Sequence, residues 1–437
     1  MNRILRIQRF LQKCNHETAR CLSLQVQPAI ALVDDIIKVN VSAAKQHQPV
    51  TLLAELEERG QHFWSFGHYV TDGAGCLDLD TGVCQGGTYK GIEPMGLLWS
   101  MVPKHKPGIR LGKRDITTPY HIQLHLLDGH KSMDELKNIS ANDKHMNCIL
   151  DSVNLERWYI RKDVQRIPVN DGCIRGMLFL PSGPGPFPGV IDLFGTFGGL
   201  TEFRAALLAS RGIASLALAF FQYEDLPKTL ADVQLDYFET AANWLSSHNS
   251  VIDGGVGVLG VSKGGNLALL MAEHFKQIKA VCAINACHFL SETPITYRGQ
   301  TLPGFMPDME HIEFSDEGIK LSKTYELAEV PEECIIKVEK SDAKYLLLFG
   351  EDDCVYGPTS GSKIAQRLRN HGKDNFHLEI YPKTGHLLEP PYTPFCRSSY
   401  HKFFHSPCVW GGSVHEHSVA QEDSWQRILN FFHTTLT

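Results

Sequence analysis

The chain is predicted to be an α/β protein, a mostly parallel sheet covered by helices on both faces, preceded by a separate all-β domain. Two patterns predict it, together with a length of 437 residues, more than one small core accommodates. From residue 166 onward, strand-like and mostly apolar runs at 189–194, 214–220, 255–261, 280–285, 345–349 and 377–381 alternate with helical stretches near 201–211, 230–248, 264–275 and 358–371. Strands that are apolar throughout need cover on both faces, and strand–helix alternation supplies it in a parallel sheet. Between residues 34 and 165 the pattern is instead one of short alternating segments, at 36–41, 50–56 and 120–126, separated by turn signals at Glu58-Arg59-Gly60, Asp72-Gly73-Ala74-Gly75 and Asp128-Gly129. These read as antiparallel strands of a sandwich with a supporting or substrate-shaping role.

Within the second region, the apolar run Val256-Gly257-Val258-Leu259 leads into Gly260-Val261-Ser262-Lys263-Gly264 and then into the helix-forming run Asn266-Leu267-Ala268-Leu269-Leu270-Met271-Ala272. A G-x-S-x-G pentad between strand and helix is the nucleophile elbow of an α/β hydrolase, in which small neighbours let strand and helix meet at a sharp turn. Ser262 is therefore the candidate nucleophile. A serine hydroxyl needs a general base, itself oriented by a third group, and in this fold the order along the chain is Ser, acid, His. After the run 345–349 stands Gly350-Glu351-Asp352-Asp353, and after 377–381 stands Pro382-Lys383-Thr384-Gly385-His386. His386 is the candidate base. Asp352 and Asp353 are both placed to orient it, the other serving a turn or cap.

The tetrahedral oxyanion of acyl transfer needs backbone donors, commonly one after the nucleophile and one after an early strand. Lys263 supplies the first by position. Phe194-Gly195-Thr196-Phe197-Gly198-Gly199 offers the second, with Thr196 and Phe197 as candidates. That glycine-rich loop lacks both the G-x-G-x-x-G spacing and a Walker lysine, so a nucleotide cofactor is not indicated.

Composition bounds the alternatives. The net charge of −7 gives no general attraction to nucleic acid or an anionic membrane surface. The 12 cysteines are scattered with no C-x-x-C pair, which indicates neither a zinc site nor a disulfide scaffold. His121 and His125 share a strand face and are expected to be solvated rather than metal ligands, and Cys354 and His415-Glu416-His417 are read as structural. No apolar run approaches the roughly 20 residues that span a bilayer. Segment 421–436 places Trp425, Ile428, Leu429 and Phe432 on one face of a packed helix. Residues 1–33 begin with Arg3, Arg6, Arg9, Lys13 and Arg20 against Glu17 alone, interleaved with Ile4, Ile7, Phe10 and Leu11. This is the composition of a mitochondrial transit peptide; a secretory signal is disfavoured, so the sequons at Asn40 and Asn138 are expected to be unused.

Further motifs accompany the elbow: Tyr89-Lys90-Gly91-Ile92-Glu93-Pro94-Met95-Gly96-Leu97-Leu98-Trp99, Tyr223-Glu224-Asp225-Leu226-Pro227-Lys228-Thr229, Gly385-His386-Leu387-Leu388-Glu389-Pro390-Pro391-Tyr392 and Trp410-Gly411-Gly412. As a set they resemble the type I acyl-CoA thioesterase and bile acid-CoA:amino acid N-acyltransferase family, from about residue 35 to the C-terminus. The resemblance implies an immunoglobulin-like β-sandwich before the α/β-hydrolase domain, a triad of Ser262, Asp353 and His386, and hydrolysis of fatty acyl-CoA to fatty acid and CoA. It implies no metal or redox cofactor, CoA being part of the substrate and a product. Transferase members of the family resemble this chain but carry cysteine in the elbow, so Ser262 favours the thioesterase branch. Phe197 and Asn266 depart from the family pattern, where glycine and glutamate are usual, which bears on the shape of the acyl pocket. Acyl transfer to glycine or taurine, carboxylester hydrolysis and silent acyl-CoA binding are the rival readings. The ending Thr435-Leu436-Thr437 is not a Ser-Lys-Leu-type peroxisomal signal, so the mitochondrial matrix is expected first and the cytoplasm second.

Overall fold

The computed structural model describes residues 21–137, 148–402 and 404–437. The basic segment of residues 1–20 and the Asn138 sequon lie outside the described residues.

The first region is a two-sheet β-sandwich. One sheet joins β1 (Ser23–Gln27), β3 (Lys38–Ser42) and β6 (Leu77–Asp78); the other follows the order β2 (Ile30–Leu32), β10 (Ile149–Trp158), β9 (Tyr120–Asp128), β4 (Pro49–Glu58), β5 (Gln61–Val70) and β7 (Gly86–Gly87), with β8 (Val102–Pro103) on β5. The Glu58-Arg59-Gly60 signal is the β4–β5 hairpin turn, where Arg59 and Gly60 take φ of 53° and 73°, the left-handed pair that matches strand twist.

The expectation of a solvated face at His121 and His125 fails for the second residue. His121 is exposed, but His125 is 4% exposed. It pairs in register with Leu53 and Ser152, and the helical turn Met133–Lys137 seats Leu136 against Leu53, Trp64, Phe66 and Leu127 on that side of the sheet. Its Nδ1 is 2.7 Å from the Ser152 hydroxyl, and burial lowers its pKa. Among the described residues no three His, Cys, Asp or Glu side chains converge as a metal site.

The second region is built on an eight-stranded sheet formed by β11 (Gln165–Asp171), β12 (Ile174–Leu180), β13 (Gly189–Leu193), β14 (Ala214–Leu218), β15 (Val256–Val261), β16 (Ile278–Ile284) and two later strands. After β16 an insertion carries the hairpin of β17 (Ile295–Tyr297) and β18 (Gln300–Leu302), then β19 (Glu313–Ser315) and β20 (Gly318–Lys320), before β21 (Lys344–Gly350) and β22 (Phe376–Tyr381) complete the large sheet. Its order is β11-β12-β14-β13-β15-β16-β21-β22, the α/β-hydrolase arrangement. From β14 to β22 every pair is parallel, whereas β12 runs antiparallel to both β11 and β14.

Helices α1 (Phe203–Ser210), α2 (Leu235–Ser246), α3 (Lys263–His274), α4 (Thr359–Asn370) and α5 (Val414–Thr435) cover the sheet. Side chains alternate across each strand, so Leu346 and Leu348 enter one core with Leu207, Trp425 and Phe432, while Leu347 and Phe349 enter the other with Phe238, Leu269 and Leu368. Full burial of such a side chain contributes about 1.5–3 kcal/mol. The first core is continuous with that of the β-sandwich. Helix α5 starts seven residues before the expected 421, because the polar run at its start is held by specific partners: His415 Nε2 is 2.8 Å from Glu93 of the first region. A small sheet of order β19-β20-β24-β23, in which β23 is Ser398–His401 and β24 is Ser406–Val409, stands beside the C-terminal ends of the parallel strands. No described helix is long and apolar enough to cross a membrane.

Candidate active site

Ser262 joins β15 to α3 with φ 57° and ψ −126°, a conformation that costs a non-glycine residue free energy and persists only where the surroundings impose it. The surroundings are close. A Cβ on Gly260 would collide with the backbone of Gly264, and one on Gly264 would fall on the carbonyl oxygens of Leu193 and Phe194. The Ser262 amide donates to the Ile284 carbonyl at 2.9 Å, and the Asn266 amide donates to the Ser262 carbonyl at 3.0 Å. The buried Asn266 side chain donates to the carbonyls of Cys287 and Phe289 at 3.0 and 2.5 Å. The residue that departs from the family pattern thus fastens α3 to the chain leaving β16.

His386 and Asp353 come together from the loops after β22 and β21. Nδ1–H of His386 donates to the Asp353 carboxylate, 3.0 Å from Oδ1 and 2.9 Å from Oδ2. Asp353 also accepts the Val355 amide at 2.7 Å, and both side chains are almost wholly buried. Asp352 points elsewhere, accepting the Gly412 amide at 2.7 Å. The His386 ring stacks on Trp410 at 5.9 Å and meets the edge of Tyr356 at 5.7 Å. Its main chain is equally fixed. The Asn285 amide group donates to the His386 carbonyl at 2.8 Å while Asn285 Oδ1 accepts from Gly350 N–H at 2.8 Å, so one side chain ties together the ends of β16, β21 and the His386 loop. His417 accepts the Gly385 amide on Nδ1 at 3.2 Å and donates from Nε2 to the Leu387 carbonyl at 3.0 Å. Burial holds this ring near pKa 4, the Leu387 carbonyl acting in the opposite sense.

Ser262, His386, Thr196 and Phe197 line one cleft, with Phe194, Leu388 and Trp410 among its apolar walls. Asp353 lies behind His386. Gly195 packs so closely that an added Cβ would sit 3.2 Å from the Cβ of Ser262, which keeps the loop backbone against the nucleophile. Lys263 begins α3, where helix amides gather positive potential. Its side chain is turned away: the ammonium donates to the Ser291 carbonyl and lies 3.1 Å from Glu292. The Lys263 charge is therefore spent behind the elbow and not in the cleft.

Sequence reading missed the cluster behind the elbow. Glu292 accepts the hydroxyls of Tyr325 and Tyr356 at 3.1 and 2.9 Å in addition to its ion pair. Burial pushes its carboxyl up, but Lys263 and the two phenols outweigh this and hold it below the usual range. Also missed were Arg110 and His401. Arg110 reaches into the cleft wall from the first region, paired with Glu389 and 5.9 and 5.7 Å from the rings of Phe194 and Phe197. His401, on β23, has Nε2 at 3.2 Å from the Thr196 hydroxyl; burial first, and the neighbouring His386 second, lower it to about 4. Partners 279 residues apart, as Arg110 and Glu389 are, leave no local signal. Asn285 ends the run 280–285 and His417 belongs to the His415-Glu416-His417 cluster read as structural, but neither position signals its bond to the His386 loop.

The arrangement brings together a hydroxyl on a strained turn, a buried imidazole–carboxylate pair and an apolar cleft, the parts that acyl transfer through serine uses. Comparison with known proteins agrees in both regions. The family model described as acyl-CoA thioester hydrolase/BAAT N-terminal region matches residues 34–171, and that described as BAAT/acyl-CoA thioester hydrolase C terminal matches residues 233–437. Human acyl-coenzyme A thioesterase 1 is 41% identical over 408 residues, 92% of this chain and 94% of the relative. Human "Acyl-coenzyme A thioesterase 2, mitochondrial" is 41% identical over 92% of this chain and 82% of its own, and mouse acyl-coenzyme A thioesterase 5 is 40% identical over 92% and 94%. Among solved structures, a putative dienelactone hydrolase from Klebsiella pneumoniae matches at TM-score 0.41 and 20% identity, covering 62% of this chain and 98% of that one. The extent of sequence identity decides the matter: this chain belongs to the acyl-CoA thioester hydrolase/BAAT family.

Proposed function

We propose that the chain hydrolyses fatty acyl-CoA to free fatty acid and CoA through an acyl-Ser262 intermediate. The observation that carries this reading is a serine elbow, backed by the His386–Asp353 pair, in a chain that shares 41% identity with an acyl-coenzyme A thioesterase over nearly its whole length. His386 takes the Ser262 proton as Oγ attacks the thioester carbonyl. The amide of Lys263 and the loop of Thr196 and Phe197 hold the oxyanion, and Asp353 stabilises the imidazolium. Collapse breaks the C–S bond and CoA leaves with the proton from His386. Water, deprotonated by His386, then attacks the acyl-serine and releases the acid. The apolar cleft walls receive the start of the acyl chain. No step calls for a metal or redox cofactor.

The test is product analysis by mass after incubation with saturated acyl-CoAs of several lengths, with and without glycine or taurine. Free acid regardless of amine is the expected result; amide would transfer the chain to the N-acyltransferase branch, and turnover of simple esters in preference to thioesters would make it a carboxylesterase.

We further place the protein in the mitochondrial matrix. The basic composition of residues 1–20 and the printed name of one human relative support this. Import of the full chain into isolated mitochondria with removal of its N-terminal segment is the expected outcome, and a full-length cytosolic protein would overturn it.

A further inference from the structure

The carboxylate of Glu292 stands on a path of bonds that runs behind the elbow. Its two oxygens serve different partners: Oε2 is 3.1 Å from the Lys263 ammonium, whereas Oε1 accepts the hydroxyls of Tyr356 at 2.9 Å and Tyr325 at 3.1 Å. Lys263 follows the nucleophile directly and begins α3. Tyr356 is fixed at both of its ends, because its amide donates to Asp353 Oδ1 at 3.3 Å while its ring edge meets the His386 imidazole at 5.7 Å. The path therefore leaves Ser262 through Lys263, Glu292 and Tyr356, reaches Asp353, and ends on His386. Among the described residues neither Glu292 nor Tyr356 lines the cleft.

The backbone that carries Glu292 is strained. Its φ of 68° lies in the left-handed region, which glycine adopts freely and a glutamate holds only where the surroundings impose it. The ion pair is also a demanding one to bury, with the Lys263 side chain 4% and the Glu292 side chain 12% exposed. Apolar residues of similar volume in place of such a pair are often neutral or stabilising, so stability by itself does not account for charge at this position. The pair instead joins two loops whose spacing the chemistry depends on, the elbow after β15 and the acid loop after β21. The helical turn Ser322–Glu326, which carries Tyr325, holds the same acid loop from the other side, the amides of Leu321 and Ser322 donating to the Cys354 carbonyl at 2.8 and 3.1 Å.

We propose that Glu292 is a positioning residue: through Lys263 it fixes the elbow, and through Tyr356 it fixes Asp353 and His386, so that one carboxylate sets the separation of the base from the Ser262 hydroxyl. The inference rests on the acyl-serine reading of the site and adds to it a residue outside the triad and the oxyanion loop.

The test compares two changes at one carboxylate oxygen, Tyr356→Phe and Tyr325→Phe. Each removes a hydroxyl from Glu292 Oε1 and keeps its ring, but of the two only Tyr356 bonds to Asp353. Full-length proteins are assayed for phosphonylation of Ser262 by a fluorophosphonate with loss of fluoride, which reads the nucleophile without a thioester, and for CoA release over a range of dodecanoyl-CoA concentrations. Tyr356→Phe is expected to slow labelling and kcat by about tenfold or more, the scale of a small misplacement within a catalytic constellation, with KM unchanged. Tyr325→Phe should stay close to the parent in both. Equal losses in the two folded variants would assign the phenols to stability alone and overturn the proposal, as would a Tyr356→Phe protein with the parent's rates or with a change confined to KM. Glu292→Gly, which the backbone at 292 accommodates, supplies a second check: Tyr356→Phe added to it should cost little further, and losses that multiply would overturn the role of Glu292. A parent that is labelled at Ser262 but releases no CoA rejects the thioesterase reading alone, and the labelling rates still decide the inference. A parent that neither labels nor releases CoA rejects both.

Discussion

Asp353 receives the His386 Nδ1–H on both carboxylate oxygens, at 3.0 and 2.9 Å, while its neighbour Asp352 turns outward to the Gly412 amide. Position along the chain left two adjacent acids open for one task and the family resemblance implied Asp353; the geometry sets Asp353, not Asp352, against His386. Asp353→Asn is expected to lower kcat by on the order of 10⁴, since loss of the carboxylate leaves the imidazole in the wrong tautomer. Asp352→Asn should stay within a few-fold of the parent. Parallel acyl-CoA assays check the pair, and equal losses would refute the division.

Glu292 balances the Lys263 ammonium behind the elbow. Glu292→Gln leaves that cation buried without a counter-charge, for which a cost of about 3–5 kcal/mol is expected. Urea unfolding of parent and variant measures it. A difference below about 1 kcal/mol would mean that the pair contributes little beyond its hydrogen bonds.

Gly264→Ala drives a methyl group into the Leu193 and Phe194 carbonyl oxygens. Neither oxygen belongs to a flexible side chain, so relief requires α3 to move off the sheet. A loss of about 1–3 kcal/mol or more is expected, together with loss of turnover, as read from thermal melting and thioesterase rate.

Three buried histidines set an acid limit on stability. Burial is the leading cause that lowers His417 and His401 to about 4 and His288 to about 3, whereas an unfolded histidine titrates near 6.5. Below pH 6.5 the unfolded chain therefore binds protons that the folded chain refuses. Their contribution is complete above pH 6.5 and is lost as the pH falls through 4. Thermal midpoints should fall steadily between pH 7 and 4.5, and His417→Gln should flatten that slope. A midpoint constant over this range would contradict the assignment of neutral buried rings.

The legible parts of the molecule were those whose cause is local. The elbow can be read from five residues because the collision that demands glycine at 260 occurs within the turn itself, although the one that demands it at 264 comes from Leu193 and Phe194 beside it. Parallel strands such as β21, apolar from Tyr345 to Phe349, announce cover on both faces. Strand β12 has the same apolar character yet runs antiparallel, because direction is set by the two-residue turn to β11 rather than by composition. His125 obeyed strand alternation, but it pairs with Leu53 on a face where Leu136 packs against Leu53 and Leu127, a contact that no period-two pattern encodes. The burial of Arg110 against Glu389 and of Glu292 against Lys263 is a product of tertiary approach alone. Each brings a charge into a buried setting that the surrounding sequence, polar or apolar, does not foretell.

The most direct measurement is the rate of free CoA release from a long-chain acyl-CoA by purified parent and Ser262→Ala protein, with melting curves to establish that both are folded. The account expects the folded variant to lose on the order of 10⁴ or more in kcat, as when a serine nucleophile is removed from an intact catalytic unit. A folded Ser262→Ala protein that releases CoA as fast as the parent would contradict it and move the chemistry away from the elbow.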